Sequence, residues 1–182
     1  MLDPLISTLQ SAAHSLGFPT MRYNSRGVGS SQGCPTWTAE YECMDLRKVC
    51  AGIENLILVG YSYGSVIAMS CLDICIAYFS ISHPVGVIWL LTCFNSTYRN
   101  QLDPPHMHEK KPVNILLVIG AKDNFTSVQK WTEFTNEFKP ECKRAVVCQD
   151  ADHFWRANKD RNWITNQFKS WAREIGVSLS TK

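Results

Sequence analysis

Two uninterrupted apolar runs, Asn55-Leu56-Ile57-Leu58-Val59-Gly60 and Val113-Asn114-Ile115-Leu116-Leu117-Val118-Ile119-Gly120, set the tightest limit on what this chain can fold into. Neither alternates apolar with polar residues, as a strand with one wet face does. They read as strands covered on both faces, the condition of a parallel sheet between helical layers. Further strands are expected at 20–24 (after Pro19), 85–91 and 145–148, bringing the sheet to about five. Helices are expected at 2–16, 36–51 (capped by Thr36 or Thr38), 64–78, 127–138 and 158–175. The glycines of 25–33 suit a loop, and the Asn-, Pro- and charge-rich stretch 95–112 reads as a loop or small cap. No repeat, low-complexity tract or interdomain linker interrupts the pattern. The fold class is therefore α/β, a three-layer α/β/α arrangement with a mostly parallel sheet, in one domain over 1–182. Its 45% hydrophobic and 19% charged residues suit a single core.

Charge and cysteine usage narrow the function classes. A formal net charge of +2 is too small to imply nucleic acid or an anionic membrane surface as partner. Eight cysteines would suggest a disulfide framework only beside a secretory signal. Residues 2–16 lack a basic n-region, and their apolar positions have helical spacing, so they read as an amphipathic helix. The longest apolar run, Val85 to Cys93, is about half of the roughly 20 residues of a membrane span. A cytoplasmic protein with free thiols and no membrane span is expected, in which the sequons at Asn95 and Asn124 carry no meaning.

Candidate chemistry lies where open α/β sheets place their ligands, just past strand C-termini. Gly60-Tyr61-Ser62-Tyr63-Gly64 matches G-x-S-x-G, in which a serine occupies a sharp strand-to-helix turn and its neighbours two residues away need to be nearly side-chain-free. That pattern arises by chance in roughly one chain in twenty of this length, so its context decides. A buried-type strand ends at Gly60, and a helix with small residues on its first turns follows. A serine hydroxyl needs a general base, itself oriented by a carboxylate. Asp123 follows the strong strand 113–120 and His153 follows the last one, in the chain order serine, acid, histidine. Asp150 and Asp152 are rivals for the acid but share the histidine's own loop. His14 lies on the first helix, His83 on the wrong side of a strand start, and His106 and His108 in the polar loop without a third ligand, so no metal and no cofactor is expected. Tyr61, Tyr63, Phe125, Phe154 and Trp155 are candidates for an apolar pocket or for core packing. Cys71 and Cys75 read as small buried hydrophobes.

These residues resemble the small, nearly lidless members of the α/β-hydrolase superfamily, akin to dienelactone hydrolases and serine aminopeptidases. The resemblance spans almost the whole chain and is most specific in Arg22-Tyr23-Asn24-Ser25-Arg26-Gly27-Val28-Gly29-Ser30-Ser31-Gln32-Gly33, in the Gly60–Gly64 turn and in Ala151-Asp152-His153-Phe154. Ala121 stands where the superfamily often has an aspartate. The resemblance implies a serine hydrolase for an ester, thioester or similar small acyl substrate, with Ser62, Asp123 and His153 as triad and the N–H of Tyr63 as an oxyanion donor. It also implies three strands before the first helix, with the loop after the third supplying a second donor. This chain has no residues for them, so a truncated form is expected. The missing third strand would lie between 20–24 and 55–60, leaving a gap in mid-sheet unless 20–24 shifts to pair with 55–60. The rival expectation is a binding or interaction protein on the same fold, its turnover impaired by an incomplete oxyanion site. Oligomeric state is left open.

Overall fold

The computed structural model describes residues 3–36, 38–88, 113–138 and 143–180. Four strands form one sheet among these residues: β1 (Ile57–Tyr61), β2 (Ala77–Ile81), β3 (Asn114–Lys122) and β4 (Lys143–Asp152). They lie in sequence order, β1-β2-β3-β4, and every neighbouring pair is parallel. The helices described in full are α1 (Pro4–Ser15), α2 (Glu40–Val49), α3 (Tyr63–Met69), α4 (Val128–Glu137) and α5 (Asn158–Ser180).

Period-two alternation along the strands divides the core into two layers. Leu58, Tyr78, Ile115, Leu117 and Ile119 point to the side covered by α2, α3 and α4, where they meet Leu46, Ile67, Trp131 and Phe134. Ala77, Phe79, Ile81, Leu116 and Val118 point to the opposite side, covered by α1 and α5, where they meet Leu5, Leu9, Phe168 and Trp171. The three-layer α/β/α class follows directly. Local chemistry sets the helix ends. The Asp3 carboxylate accepts from the N–H groups of Leu5 and Ile6 at 2.9 and 3.1 Å, Pro4 opens α1, and the Ser127 hydroxyl accepts from Lys130 N–H to cap α4.

The sheet corrects the sequence reading at three places. First, the helix expected over 64–78 ends at Met69; a 3₁₀ turn, Leu72–Ile74, leads into β2. All five residues of Ala77–Ile81 are buried, so the pairing of β2 between two neighbours outweighs its local pattern. Second, the expected strand 85–91 is displaced: residues 85–87 form a turn, and 89–91 lie outside the described residues, as does the expected cap 95–112. Third, residues 20–24 form no strand. Thr20 hydrogen-bonds to Gln10 and His14, and Arg22 donates to the Ser7 hydroxyl, which ties this segment to α1 instead of to the sheet. Among the described residues, four strands therefore replace the expected five, and β1 lies at the edge of the sheet with Val59 40% exposed. α2 also begins later than expected. Thr36 and Thr38 do not cap it; the Thr36 N–H and hydroxyl both donate to the buried Glu42 carboxylate, and Ala39 is the N-cap with no side-chain bond. Among the described residues, no helix is long and apolar enough to cross a membrane.

Candidate active site

Ser62 is the first residue past β1, with φ 52° and ψ −126°, a backbone conformation that residues with side chains rarely adopt. Its N–H donates to Ile81 O at 3.0 Å, which continues the β1–β2 ladder one residue into the turn. The close approach that this turn demands is at Gly60. A Cβ there would stand 2.6 Å from Ser65 Cα and 2.8 Å from Gly64 O, whereas a Cβ on Gly64 would meet nothing within 4 Å beyond its chain neighbours and its own helix backbone. The sequence expectation treats the two glycines alike; the structure gives them different roles.

His153 follows β4 immediately and Asp123 follows β3 immediately. Ser62 Oγ lies 2.8 Å from His153 Nε2, and His153 Nδ1 lies 2.8 Å from Asp123 Oδ2. The other oxygen of Asp123 accepts from the N–H groups of Phe125 and Thr126 at 2.8 and 3.1 Å. The carboxylate thus has three donors around it, and its side chain is fully buried beside a histidine ring that is 4% exposed. Ser62 itself is only partly covered. Tyr61 O–H donates to the His153 carbonyl at 2.9 Å. Burial pushes the Tyr61 phenol well above its usual range, so it stays a donor. The rings of Phe125 and Phe154 stand edge-on to the imidazole at 4.5 and 5.3 Å, and both residues keep exposed surface, 40% and 45%.

The rival carboxylates are engaged elsewhere. Asp150 pairs with Lys159 at 2.7 Å and Lys122 at 3.3 Å, and these lysines hold its carboxyl below the usual range. Asp152 pairs with Arg156 and accepts from Phe154 N–H. Tyr63 opens α3, so its N–H has no intrahelical acceptor by position. His106 and His108 lie outside the described residues, and among those described no three His, Cys, Asp or Glu side chains form a metal-binding group.

A break in the β3–β4 ladder brings His153 to Ser62. Gly120 pairs with Cys148 but Lys122 with Asp152, so four positions of β4 span two steps of β3. The extra residues fold β4 against Gly120, where a Cβ would stand 2.2 Å from Ala151 O.

The fold recurs in solved proteins. A serine hydrolase homologue from Coxiella burnetii superposes with a TM-score of 0.73 at 22% identity, over 93% of this chain and 76% of that one. A lidless serine hydrolase from Xanthomonas campestris gives 0.74 at 19%, over 96% and 75%, and an esterase from Pyrococcus furiosus 0.74 at 16%, over 93% and 74%. The chain has the α/β-hydrolase fold. No protein-family model matches its sequence, and no curated protein does. The likeness therefore rests on three-dimensional arrangement.

In this α/β-hydrolase fold, the residue that sequence reasoning misjudged is His83. With a strand placed at 85–91 it falls before a strand; with β2 at Ala77–Ile81 it falls two residues after one, at the same end of the sheet as Ser62, Asp123 and His153. The missed signal is Ala77-Tyr78-Phe79-Ser80-Ile81, whose aromatic and β-branched content is that of a strand.

Proposed function

We propose that the chain is a serine hydrolase that cleaves an ester, thioester or similar acyl bond through a covalent acyl-enzyme, without metal or cofactor. The observation that carries this reading is the continuous hydrogen-bonded line Ser62 Oγ, His153, Asp123, with both links at 2.8 Å. That the fold neighbours are named as serine hydrolases and esterases supports it.

Ser62 Oγ attacks the acyl carbon while His153 Nε2 takes its proton, and the carbonyl π electrons move onto oxygen. The resulting oxyanion meets the N–H of Tyr63. Collapse of the tetrahedral adduct expels the alcohol or thiol, which leaves with the proton from His153. Water then repeats the sequence, with His153 as base, and releases the acid. Asp123 holds the Nδ1–H tautomer and stabilises the imidazolium that forms twice per turnover. The exposed faces of Phe125 and Phe154 beside the imidazole suit an apolar acyl or alcohol group. Thiols at Cys34, Cys43, Cys50, Cys71, Cys75 and Cys148 fit a reducing compartment such as the cytoplasm.

The test is labelling with a fluorophosphonate, which phosphonylates an activated serine. The wild-type chain should be labelled and Ser62→Ala should not; equal labelling of the two, or none of the wild type, rejects the reading.

A further inference from the structure

Ser62, Asp123 and His153 follow β1, β3 and β4. β2 lies between β1 and β3, and the two residues after its end, Ser82 and His83, are 0% and 1% exposed. Each is bonded to a loop that carries one of the three. Ser65 Oγ lies 2.6 Å from the Ser62 carbonyl and 2.8 Å from His83 Nδ1. A carbonyl cannot donate, so the Ser65 hydroxyl spends its one proton on Ser62 O. The contact with His83 must then be an N–H of the imidazole donating to Ser65 Oγ, which fixes a proton on Nδ1. On the other side, Thr126 Oγ1 donates to the His83 carbonyl at 3.2 Å and accepts from Gly86 N–H, while Thr126 N–H donates to Asp123. Trp155 Nε1 donates to Ser82 Oγ at 3.0 Å, two residues beyond His153. The hydrogen bonds close a ring: Ser62 to His153 to Asp123 to Thr126 to His83 to Ser65 and back to Ser62.

We propose that His83 is a positioning residue for the Ser62 nucleophile, acting through the Ser65 hydroxyl on the carbonyl of the strained Ser62 backbone. The proposal rests on the serine hydrolase reading. Ser62 has φ 52°, and only its surroundings can hold it there. The Ser65 bond grips the peptide just after Ser62, and His83, stacked at 5.1 Å on Phe134, fixes the rotamer that makes the grip. The His83 backbone is tied through Thr126 to Asp123, so one rigid point sets both ends of the triad. His83 touches no reacting atom. Its effect is on the geometry of attack, and therefore on kcat more than on KM.

The experiment uses the full chain, p-nitrophenyl butyrate hydrolysis and fluorophosphonate labelling. His83→Leu, which removes the donor, should lower kcat and the labelling rate by on the order of 10²-fold, with KM changed by less than about threefold. His83→Asn, whose amide N–H reaches the position of Nδ1, should recover most of that loss. Ser65→Ala should match His83→Leu, and the double variant should be no worse than the worse single one, because both act through one bond. Imidazole ¹⁵N spectra at neutral pH should show His83 Nδ1 protonated, with the signal moved in Ser65→Ala. An unprotonated Nδ1 overturns the proposal whether or not the chain is a hydrolase, and whether or not His83→Leu folds. With Ser62-dependent labelling intact, wild-type rates in His83→Leu, or no recovery in His83→Asn, overturn the positioning role alone. Labelling independent of Ser62 removes the hydrolase reading and the positioning role with it.

Discussion

The two glycines flanking Ser62 offer an internally controlled test of how the turn is built. Sequence symmetry in Gly60-Tyr61-Ser62-Tyr63-Gly64 suggests equal roles, but the surroundings do not. A methyl group at residue 60 would lie 2.6 Å from Ser65 Cα, against an ordinary contact of 3.4–4 Å. Either β1 or the start of α3 must retreat by about 0.8 Å, against backbone that has no rotamer to change. Overpacking of this kind costs about 1–3 kcal/mol, which in a chain of this length lowers Tm by roughly 2–4 °C per kcal/mol. The same retreat moves Ser62 Oγ away from His153, and a misplacement near 1 Å costs on the order of 10² in rate. Gly64 sits in the first turn of α3 with open space around its Cα, so alanine there should add up to about 1 kcal/mol of helix propensity. Thermal melts by circular dichroism and fluorophosphonate labelling rates read both effects. Gly60→Ala should melt lower and label slowly; Gly64→Ala should melt at or above wild type and label normally. A Gly60→Ala protein indistinguishable from wild type, or a Gly64→Ala protein equally damaged, refutes the steric reasoning.

Other perturbations separate the parts of the site. Asp123→Asn should cut kcat by on the order of 10⁴, while Asp150→Asn, which breaks only exposed lysine pairs, should stay within about threefold of wild type; equal losses in p-nitrophenyl butyrate hydrolysis would misassign the acid. Gly120→Ala should destabilise the fold by about 1–3 kcal/mol and slow labelling, because its Cβ meets the bulge that delivers His153; chemical denaturation and labelling rates check it. Trp155→Phe, which loses the Nε1–H bond to Ser82 and shrinks a fully buried ring, should cost more in urea denaturation than the about 1–3 kcal/mol of the lost bond alone. Burial pushes the Cys75 thiol up to about 12 from an ordinary 9. The folded state therefore keeps its proton while the unfolded state loses it, and stability should fall as pH rises from 9 towards 12 by about 1.4 kcal/mol per pH unit. Cys75→Ala should flatten that slope in urea melts, and an unchanged slope would contradict the buried thiol.

How much of this was legible in the sequence depended on whether neighbours or distant contacts set the outcome. The strands at 57–61 and 114–122 carry their burial in their own residues, and the α1 start is written in Asp3-Pro4. Serine, acid and histidine each follow a strand, so motif, strand ends and chain order together pointed to the positions that the structure brings within 2.8 Å of one another in line. β2 was missed because Ala77–Ile81 is a strand by virtue of pairing with β1 and β3, and its residues also continue the helical pattern before it. That one error hid His83. The unequal surroundings of Gly60 and Gly64, and the bulge at Gly120, are long-range contacts that no local pattern encodes. Residues 20–24 failed as a strand for a similar reason: their polar side chains found partners on α1.

Sheet geometry explains why a residue after β2 should matter at all. Neighbouring strands are about 4.8 Å apart, so the ends of β1 and β4 are separated by about 14 Å across the sheet. Ser62 and His153 nevertheless meet at 2.8 Å. Two devices close the distance: the strained turn at Ser62 just past β1, and the β4 bulge that folds the histidine loop against Gly120 of β3. The segment after β2 lies between these two loops, within hydrogen-bonding reach of both. The structure fills that place with buried polar side chains, Ser82 bonded to the histidine loop and His83 to the serine turn and the aspartate loop. An apolar pair there would leave the Trp155 N–H without its partner, at a cost of about 1–3 kcal/mol, and would remove the imidazole from the Ser65 hydroxyl that grips Ser62 O. The middle strand, which supplies no member of the hydrogen-bonded line, thus supplies the frame on which its three members are held.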